Sequence, residues 1–404
     1  MTQAQYQQGP NPKPTLDTDA LIQAILQAVD PAGAVQRHIS LHGTVLRIDG
    51  RDYDLTGKDI RLIAVGKASV PMAQAMQTLL GARINRSVVV TKYGHVSQTS
   101  NVKRHEPAVN DRWSIIEAAH PVPDDNSLRA GELICEALQD SRENTLVIVC
   151  VSGGASALCV APQPGISLKT MQAINEALLR SGADIREMNA VRSRLDRLKA
   201  GGLVRMASPA QVIGLILSDV IGDPLDVIAS GLTQEAAAYN VLVGNNTQAC
   251  AAAQIELGRQ GYQARVVTTQ MRGEARERGV EIAHAIADEA PGSALIYGGE
   301  TTVTLRGNGN GGRCQELALA AASVMHPQSG SSIMAFGTDG TDGPNDAAGA
   351  IVNDTTIARA RQIGLNAQAY LDNNDSYTFF EKLGDLIKTG PTGTNVADVI
   401  VALR

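Results

Sequence analysis

Short apolar runs alternate with helix-period segments along almost the whole chain, and nearly every run ends in glycine or a small polar residue. "DIRLIAVG" (59–66) leads into "KASVPMAQAMQTLLG", whose apolar positions recur at helical spacing. "RSVVVTKYG" and "NTLVIVCVSGG" (144–154) read as further strands, and so does "AQVIGLILSDV" (210–220). Between them lie a helix opening at Asp125-Asn126-Ser127, with Ser127 placed to cap it, and a helix over 167–182 closed by Gly182. Strands fully apolar on both faces and separated by helices predict an α/β fold with a mostly parallel sheet. A second series starts near Tyr239: a helix closed by Gly261, the strand "YQARVVTT", and a helix over about 273–290. The strands "SALIYGG" and "TTVTLRG" follow, then the helix "RCQELALAAASVM" and the strands "SSIMAFGTD" and "VADVIVALR".

A chain of 404 residues is too long for one ordinary core. The expected division is 1–235, beginning with a loose polar tail over 1–15, and 236–404. Aromatic content of 3% and a net charge of −6 argue against a nucleic-acid partner, which calls for stacking rings and basic patches. No apolar stretch reaches the ~18 residues of a membrane span. Five cysteines without a C-x-x-C pair read as buried hydrophobes in a reducing cytoplasm.

Ligands of open parallel sheets bind beyond the carboxyl ends of the strands. Those ends read "GKAS", "SGGASAL", "SDVIGDPLDVIASG", "GGET", "RGNGNGGR" and "GTDGTDGPNDAAG". Glycines and a helix start at Ser152, Gly153, Gly154 and Ser156 suit a phosphate or carboxylate, or else only a tight turn. Lys67 is a candidate to neutralise phosphate charge. No P-loop motif is present. Gly307-x-Gly309-x-x-Gly312 has the form of a dinucleotide fingerprint, but Arg313 follows it directly, and the next strand ends in three aspartates, Asp339, Asp342 and Asp346. Asp219, Asp223, Asp339, Asp342 and Glu300 could offer oxygens to Mg²⁺, or one aspartate could take a hydroxyl proton. His120 is another strand-end residue. His38, His42, His95, His105, His284 and His326 show no metal-ligand spacing.

Taken together, eight blocks resemble the glycerate 2-kinases of the MOFRL type: 65–69 "VGKAS", 120–124 "HPVPD", 152–158 "SGGASAL", 189–192 "NAVR", 198–202, 218–233, 298–319 and 337–350. The resemblance implies a Rossmann-like N-terminal domain, a smaller α/β C-terminal domain of the MOFRL type, and an active site in the cleft between them. It implies ATP, Mg²⁺ or another divalent cation, and D-glycerate, giving 2-phospho-D-glycerate in the cytoplasm. The chain is compatible with a homodimer. Lys67 and Arg313 match the favoured active-site residues of that family. On this reading Ser152, Gly153, Gly154, Ser156, Arg192 and His120 bind substrate or phosphate. Gly307, Gly309, Gly311, Gly312, Glu300 and Asp339 face the nucleotide, Asp219 is base or metal anchor, and Asp339 is a second metal contact. The family name hydroxypyruvate reductase, from tartrate degradation, supplies an alternative NAD(P)H-dependent activity; a non-catalytic ligand-binding protein is a third. Cys314, Leu232, Asp196 and Ala200 depart from the family pattern, which has Asn, Pro, Ser and Gly there.

Overall fold

The computed structural model describes residues 15–96, 113–182 and 185–404. The tail expected over 1–15 falls, apart from Thr15, outside them, as does His105. By its internal contacts the chain forms two compact units. One comprises Leu26–Gln248 with Thr392–Ala397, and the other is built on Ala249–Pro391 with Asp398–Arg404 and the chain up to Ile25.

The first unit opens with a three-stranded antiparallel meander, β1 (Ile39–His42), β2 (Val45–Ile48) and β3 (Arg51–Asp54), which the sequence reading did not anticipate. Its main sheet contains β4 (Asp59–Val65), β5 (Ile84–Lys92), β6 (Trp113–Ala118), β7 (Thr145–Val151), β8 (Gln211–Leu217) and β9 (Ala238–Gly244). The order is β6-β5-β4-β7-β8-β9, with every pair parallel. Counted from β4 this is 3-2-1-4-5-6, the doubly wound order of dinucleotide-binding folds, whose strand order reverses between β4 and β7. All seven residues of β7, "TLVIVCV", are buried, as a central strand covered on both faces requires. Ile63, Val65, Val149, Leu158, Leu203, Val212 and Ile216 belong to the core on one of those faces. The sequence division at 235 falls just before β9, which pairs with β8 at the edge of this sheet.

Helix Asp125–Leu138 is capped by Asp124, not Ser127. The Asp124 carboxylate accepts the Ser127 N–H at 3.0 Å, and the Ser127 hydroxyl in turn accepts the Asp124 N–H at 3.1 Å, a reciprocal capping box. Helix Leu168–Ser181 runs from its cap Ser167 to Gly182, which turns left-handed at φ 71°.

The second unit holds β10 (Gln263–Met271), β11 (Ser293–Gly299), β12 (Ser332–Gly337), β13 (Gly349–Asn353), β14 (Leu386–Ile387) and β15 (Asp398–Leu403). Its order is β10-β11-β15-β12-β13-β14, and only β10–β11 is parallel. The last strand of the chain therefore enters the middle of the sheet. Helices Ala275–Ala287 and Arg313–Val324 cross closely: a Cβ on Gly279 would lie 2.2 Å from the Leu317 carbonyl oxygen. All three phenylalanines lie buried in this unit, and Phe379 and Phe380 meet edge to face at 5.3 Å. The strand expected at "TTVTLRG" does not form; one bridge, Glu274 to Thr302, is all that remains. Side chains supply the partners there: the Glu274 carboxylate accepts the Thr304 N–H, and Asn374 accepts those of Arg306 and Gly307.

Candidate active site

In the first unit the reversal of strand order puts the ends of β4 and β7 side by side. Lys67 lies two residues past β4, and Ser152, Gly153 and Gly154 follow β7. The two turns are stitched together. The Lys67 N–H donates to the Gly153 carbonyl at 2.9 Å, and the Ala68 N–H donates to the Ser152 hydroxyl at 3.0 Å. Ser152 is 2% exposed, and its own N–H is taken by Val65. That corrects the expectation that Ser152 offers its N–H to a ligand: the residue clamps the turns instead. Gly66 lies at φ 132°, where a Cβ would sit 2.5 Å from the Ser152 carbonyl oxygen, so only glycine fits.

Gly153 and Gly154 let side chains close on the backbone. A Cβ on Gly153 would fall 1.9 Å from Asp219 Oδ2, and one on Gly154 would lie 3.1 Å from the His120 ring and 3.4 Å from Lys67 Cγ. Lys67, His120, Asp219 and the glycine turn therefore converge. Burial, then the charges of Lys67 and Lys92, push His120 down to about 4, so its ring is neutral at pH 7. His95 Nδ1 lies 3.2 Å from the Lys67 carbonyl oxygen, and burial lowers its pKa too. Sequence reasoning dismissed His95 for lacking metal spacing; its position just past β5 was the usable signal.

Ser156, one turn further on, lies 2.8 Å from the Ser230 hydroxyl, which donates to Asn189 Oδ1 at 3.1 Å. Asn189 and Arg192 are three residues apart on helix Ile185–Leu195, hence on one face. Burial lowers the Arg192 pKa, and its Nε donates to Asn175 at 2.7 Å. Ala229 and Ser230 adopt left-handed φ of 52° and 54°, a strained pair held between Ser156 and Asn189.

In the second unit Arg313 opens helix Arg313–Val324. Its Nε and Nη2 donate to the two oxygens of Asp398 at 2.6 and 2.8 Å, and Nη1 lies 3.0 Å from Glu300. Burial opposes the Arg313 charge, but the bonds to Asp398 outweigh it and raise the pKa. Burial pushes Asp398 up to about 7 against the pull of Arg313. No sequence signal marked Asp398, which lies inside an apolar strand 85 residues from its partner.

The three aspartates of "GTDGTDGPND" do separate jobs. Asp342 is buried and accepts the N–H groups of Cys314 and Gln315 at 3.0 and 2.8 Å, which anchors the start of the Arg313 helix. Burial raises its pKa despite those bonds. Asp339 closes its own turn through Thr341 at 3.0 Å, and the exposed Asp346 binds Tyr377 and Lys388.

The glycines of "RGNGNGGR" serve the protein's own chain. A Cβ on Gly307 would meet Asn373, one on Gly309 Asp375, one on Gly311 Ser376 and one on Gly312 Asp342, all at 2.2–2.4 Å. The N–H groups of Gly307, Gly309 and Asn310 are taken by Asn374, Asn373 and Asp375. Asn374 is tied in turn to buried Glu316 at 2.9 Å, and Glu316 to Arg276 at 2.7 Å. The form of a dinucleotide fingerprint here marks a docking of two loops.

Among the described residues no group of three or more His, Cys, Asp or Glu side chains could hold a metal. Mg²⁺ at phosphates takes one or two carboxylates and fills its shell from substrate and water. The Asp219 carboxylate against the bare Gly153 backbone fits that requirement. No helix of the described residues is long and apolar enough to cross a membrane. All five cysteines are free, and four are buried.

Family models match twice: a domain of unknown function (DUF4147) over residues 17–241 and the MOFRL family over residues 293–398. A D-glycerate 2-kinase of Thermotoga maritima is 41% identical over 85% of this chain and 90% of its own length. The chain belongs to the glycerate 2-kinase family. The crystal structure of a Thermotoga maritima glycerate kinase, 36% identical, superposes with a TM-score of 0.83 over 95% of this chain and 97% of that one. A 36% identical Agrobacterium vitis relative, aligned over 84% of this chain and 97% of its own, carries the provisional name hydroxypyruvate reductase.

This glycerate 2-kinase family member absorbs its departures from the pattern internally. Cys314 is buried behind Asp342 and Asp398, and burial raises its thiol pKa well above the ordinary value. Asp196 is buried with Lys199 at 3.4 Å and accepts the Leu198 N–H at 2.9 Å. Leu232 is 2% exposed in the core. Ala200 sits at φ 47°, where the family's glycine carries no strain.

Proposed function

We propose that this protein transfers the γ-phosphoryl group of ATP to the 2-hydroxyl of D-glycerate. The observation that carries the reading is the convergence of Lys67, His120, Asp219 and the Gly153-Gly154 turn at the reversal of strand order, in a chain of this family. Phosphoryl transfer asks for positioning and charge neutralisation more than for covalent chemistry. Lys67 neutralises phosphate charge. The bare backbone at Gly153 and Gly154 lets phosphate or carboxylate oxygens approach closely. Neutral His120 donates or accepts a hydrogen bond without adding charge. Ser156 and Arg192 orient the glycerate. Asp219 accepts the proton of the attacking hydroxyl or holds Mg²⁺, which neutralises the charge of the phosphates when bound. In the second unit Arg313 meets an anionic oxygen with the N–H groups that Asp398 leaves over, and Glu300 and Asp339 are the carboxylates assigned to ribose or metal. The glycines at 307–312 shape their loop and are not assigned to the nucleotide.

Incubation of the pure protein with ATP, Mg²⁺ and D-glycerate, followed by ³¹P NMR, tests the reading. The expected product is 2-phosphoglycerate with one ADP per turnover. A 3-phosphorylated product would refute the regiochemistry, and consumption of NADH with hydroxypyruvate in place of ATP would replace the kinase by a reductase.

A further inference from the structure

We propose that Asp398 is a positioning residue for Arg313, a fixed carboxylate that sets the plane of the guanidinium so that its leftover N–H groups meet an anionic ligand in one orientation. The proposal rests on the role given to Arg313 above.

Asp398 is the first residue of β15, the strand inserted between β11 and β12. Its register partners are Gly299 and Gly337. The Asp398 carboxylate lies close over Gly337: a Cβ there would be in van der Waals contact with its Oδ1 at 3.5 Å. The Asp398 side chain is 2% exposed. The two bonds at 2.6 and 2.8 Å run in parallel from Nε and Nη2, the fork-to-fork pairing that fixes a guanidinium in its plane. Glu300, the residue after Gly299, forms an ion pair with Nη1 at 3.0 Å. A guanidinium carries five N–H groups, and the Asp398 bonds use those of Nε and Nη2 only, so the Nη1 side is left for a ligand.

The two carboxylates differ in kind. The Glu300 side chain is 47% exposed, and water or a ligand anion can replace it. Asp398 has nowhere to go, since a buried carboxylate separated from its cation is strongly destabilised. A pair kept only for stability is replaceable by apolar side chains at little cost. Here one end of the pair is sealed and the other, Arg313 at 33% exposed, opens outward, which is the form of a support beneath a working group.

Asp398→Asn keeps the shape and removes the charge. It should lower kcat by more than about 30-fold, a larger factor than the change in either KM, because orientation is felt chiefly in the transition state. Arg313→Ala should lower kcat by about 10³-fold. The double variant should be no slower than Arg313→Ala alone, since Asp398 acts only through Arg313. Calorimetry with inorganic phosphate gives a readout free of turnover: both single variants should weaken binding by about fivefold or more. If Asp398→Asn does not fold, Arg313→Lys keeps the charge without the fork, and it should reproduce the loss of kcat. Wild-type kcat and phosphate affinity in Asp398→Asn, with Arg313→Ala inactive, overturn the proposal alone. So does a further slowing of Arg313→Ala by the same factor, or full activity in Arg313→Lys. Full activity in Arg313→Ala removes the role assigned to Arg313 itself. If the wild-type protein phosphorylates no glycerate, the phosphate affinities still decide whether Asp398 supports an anion site.

Discussion

Two glycine-rich turns in this chain look alike as letters and do opposite things as structure. At 152–154 the glycines press the backbone against side chains of the candidate site: the Asp219 carboxylate on Gly153, the neutral His120 ring and the Lys67 stem on Gly154. At 307–312 they press it against two other loops of the same unit, Asn373 to Ser376 and, at Gly312, Asp342; residues 373–375 take up the N–H groups of Gly307, Gly309 and Asn310. None of Gly307, Gly309, Gly311 and Gly312 has a positive φ, so glycine is there for closeness alone. The contrast teaches that a glycine motif reports only that something approaches the backbone. Whether a ligand or the protein itself approaches depends on what the fold brings opposite.

The comparison breaks first at Lys67. Lys67→Ala should cut kcat by about 10³-fold with an unchanged melting temperature; steady-state kinetics beside a thermal melt check both halves. Alanine scanning of the two turns sharpens it. Gly153→Ala, whose new Cβ would overlap the Asp219 carboxylate, should lower kcat/KM by about 10²-fold at near-normal stability. Gly309→Ala, whose Cβ would overlap Asp375 and Asn373, should instead cost about 1–3 kcal/mol in urea unfolding and leave kcat per folded molecule nearly intact. If both variants lose activity at wild-type stability, the contrast is wrong.

A smaller effect is expected at His120. Its folded pKa of about 4 lies below the ordinary 6.5, so between those values the unfolded chain binds the proton and the folded chain does not. This contribution to stability is intact above about pH 6.5 and is lost as the pH falls towards 4. Proton NMR of the ring should show a midpoint near 4 that phosphate moves upward, since an anion favours the imidazolium. A midpoint near 6.5, unmoved by phosphate, would place the ring outside the anion site. Smallest of all, Ala200→Gly should raise stability by about 1 kcal/mol by relieving a left-handed alanine, with kcat unchanged.

The strands and helices of both units were readable wherever periodicity is local and strong. β4, β7, β8, β11 and β15 were each visible as an apolar run. Others were not: β1 to β3, β13 and β14 are too brief for period or composition to mark them, and β6 and β9, at the two edges of their sheet, lack the unbroken apolar run of its central strands. "TTVTLRG" carried the composition of a strand and did not become one, because Glu274 and Asn374 captured its N–H groups first. Lys67, Ser152, Gly153 and Gly154 could be named in advance because strand ends are where an α/β sheet exposes its backbone. The roles within that set could not. Ser152 became a clamp, and the dinucleotide-like loop became a docking surface.

What the sequence by itself determined is the alternation of elements and the chemistry waiting at each strand end, because side-chain period and turn residues act over a few positions. Strand order, the insertion of β15 into the middle of its sheet, and the marriage of Arg313 to Asp398 were decided only by the tertiary structure. A hydrogen bond between residues 85 apart leaves no local trace. It forms because a buried carboxylate must find a cation, and only the folded sheet determines which one lies within reach.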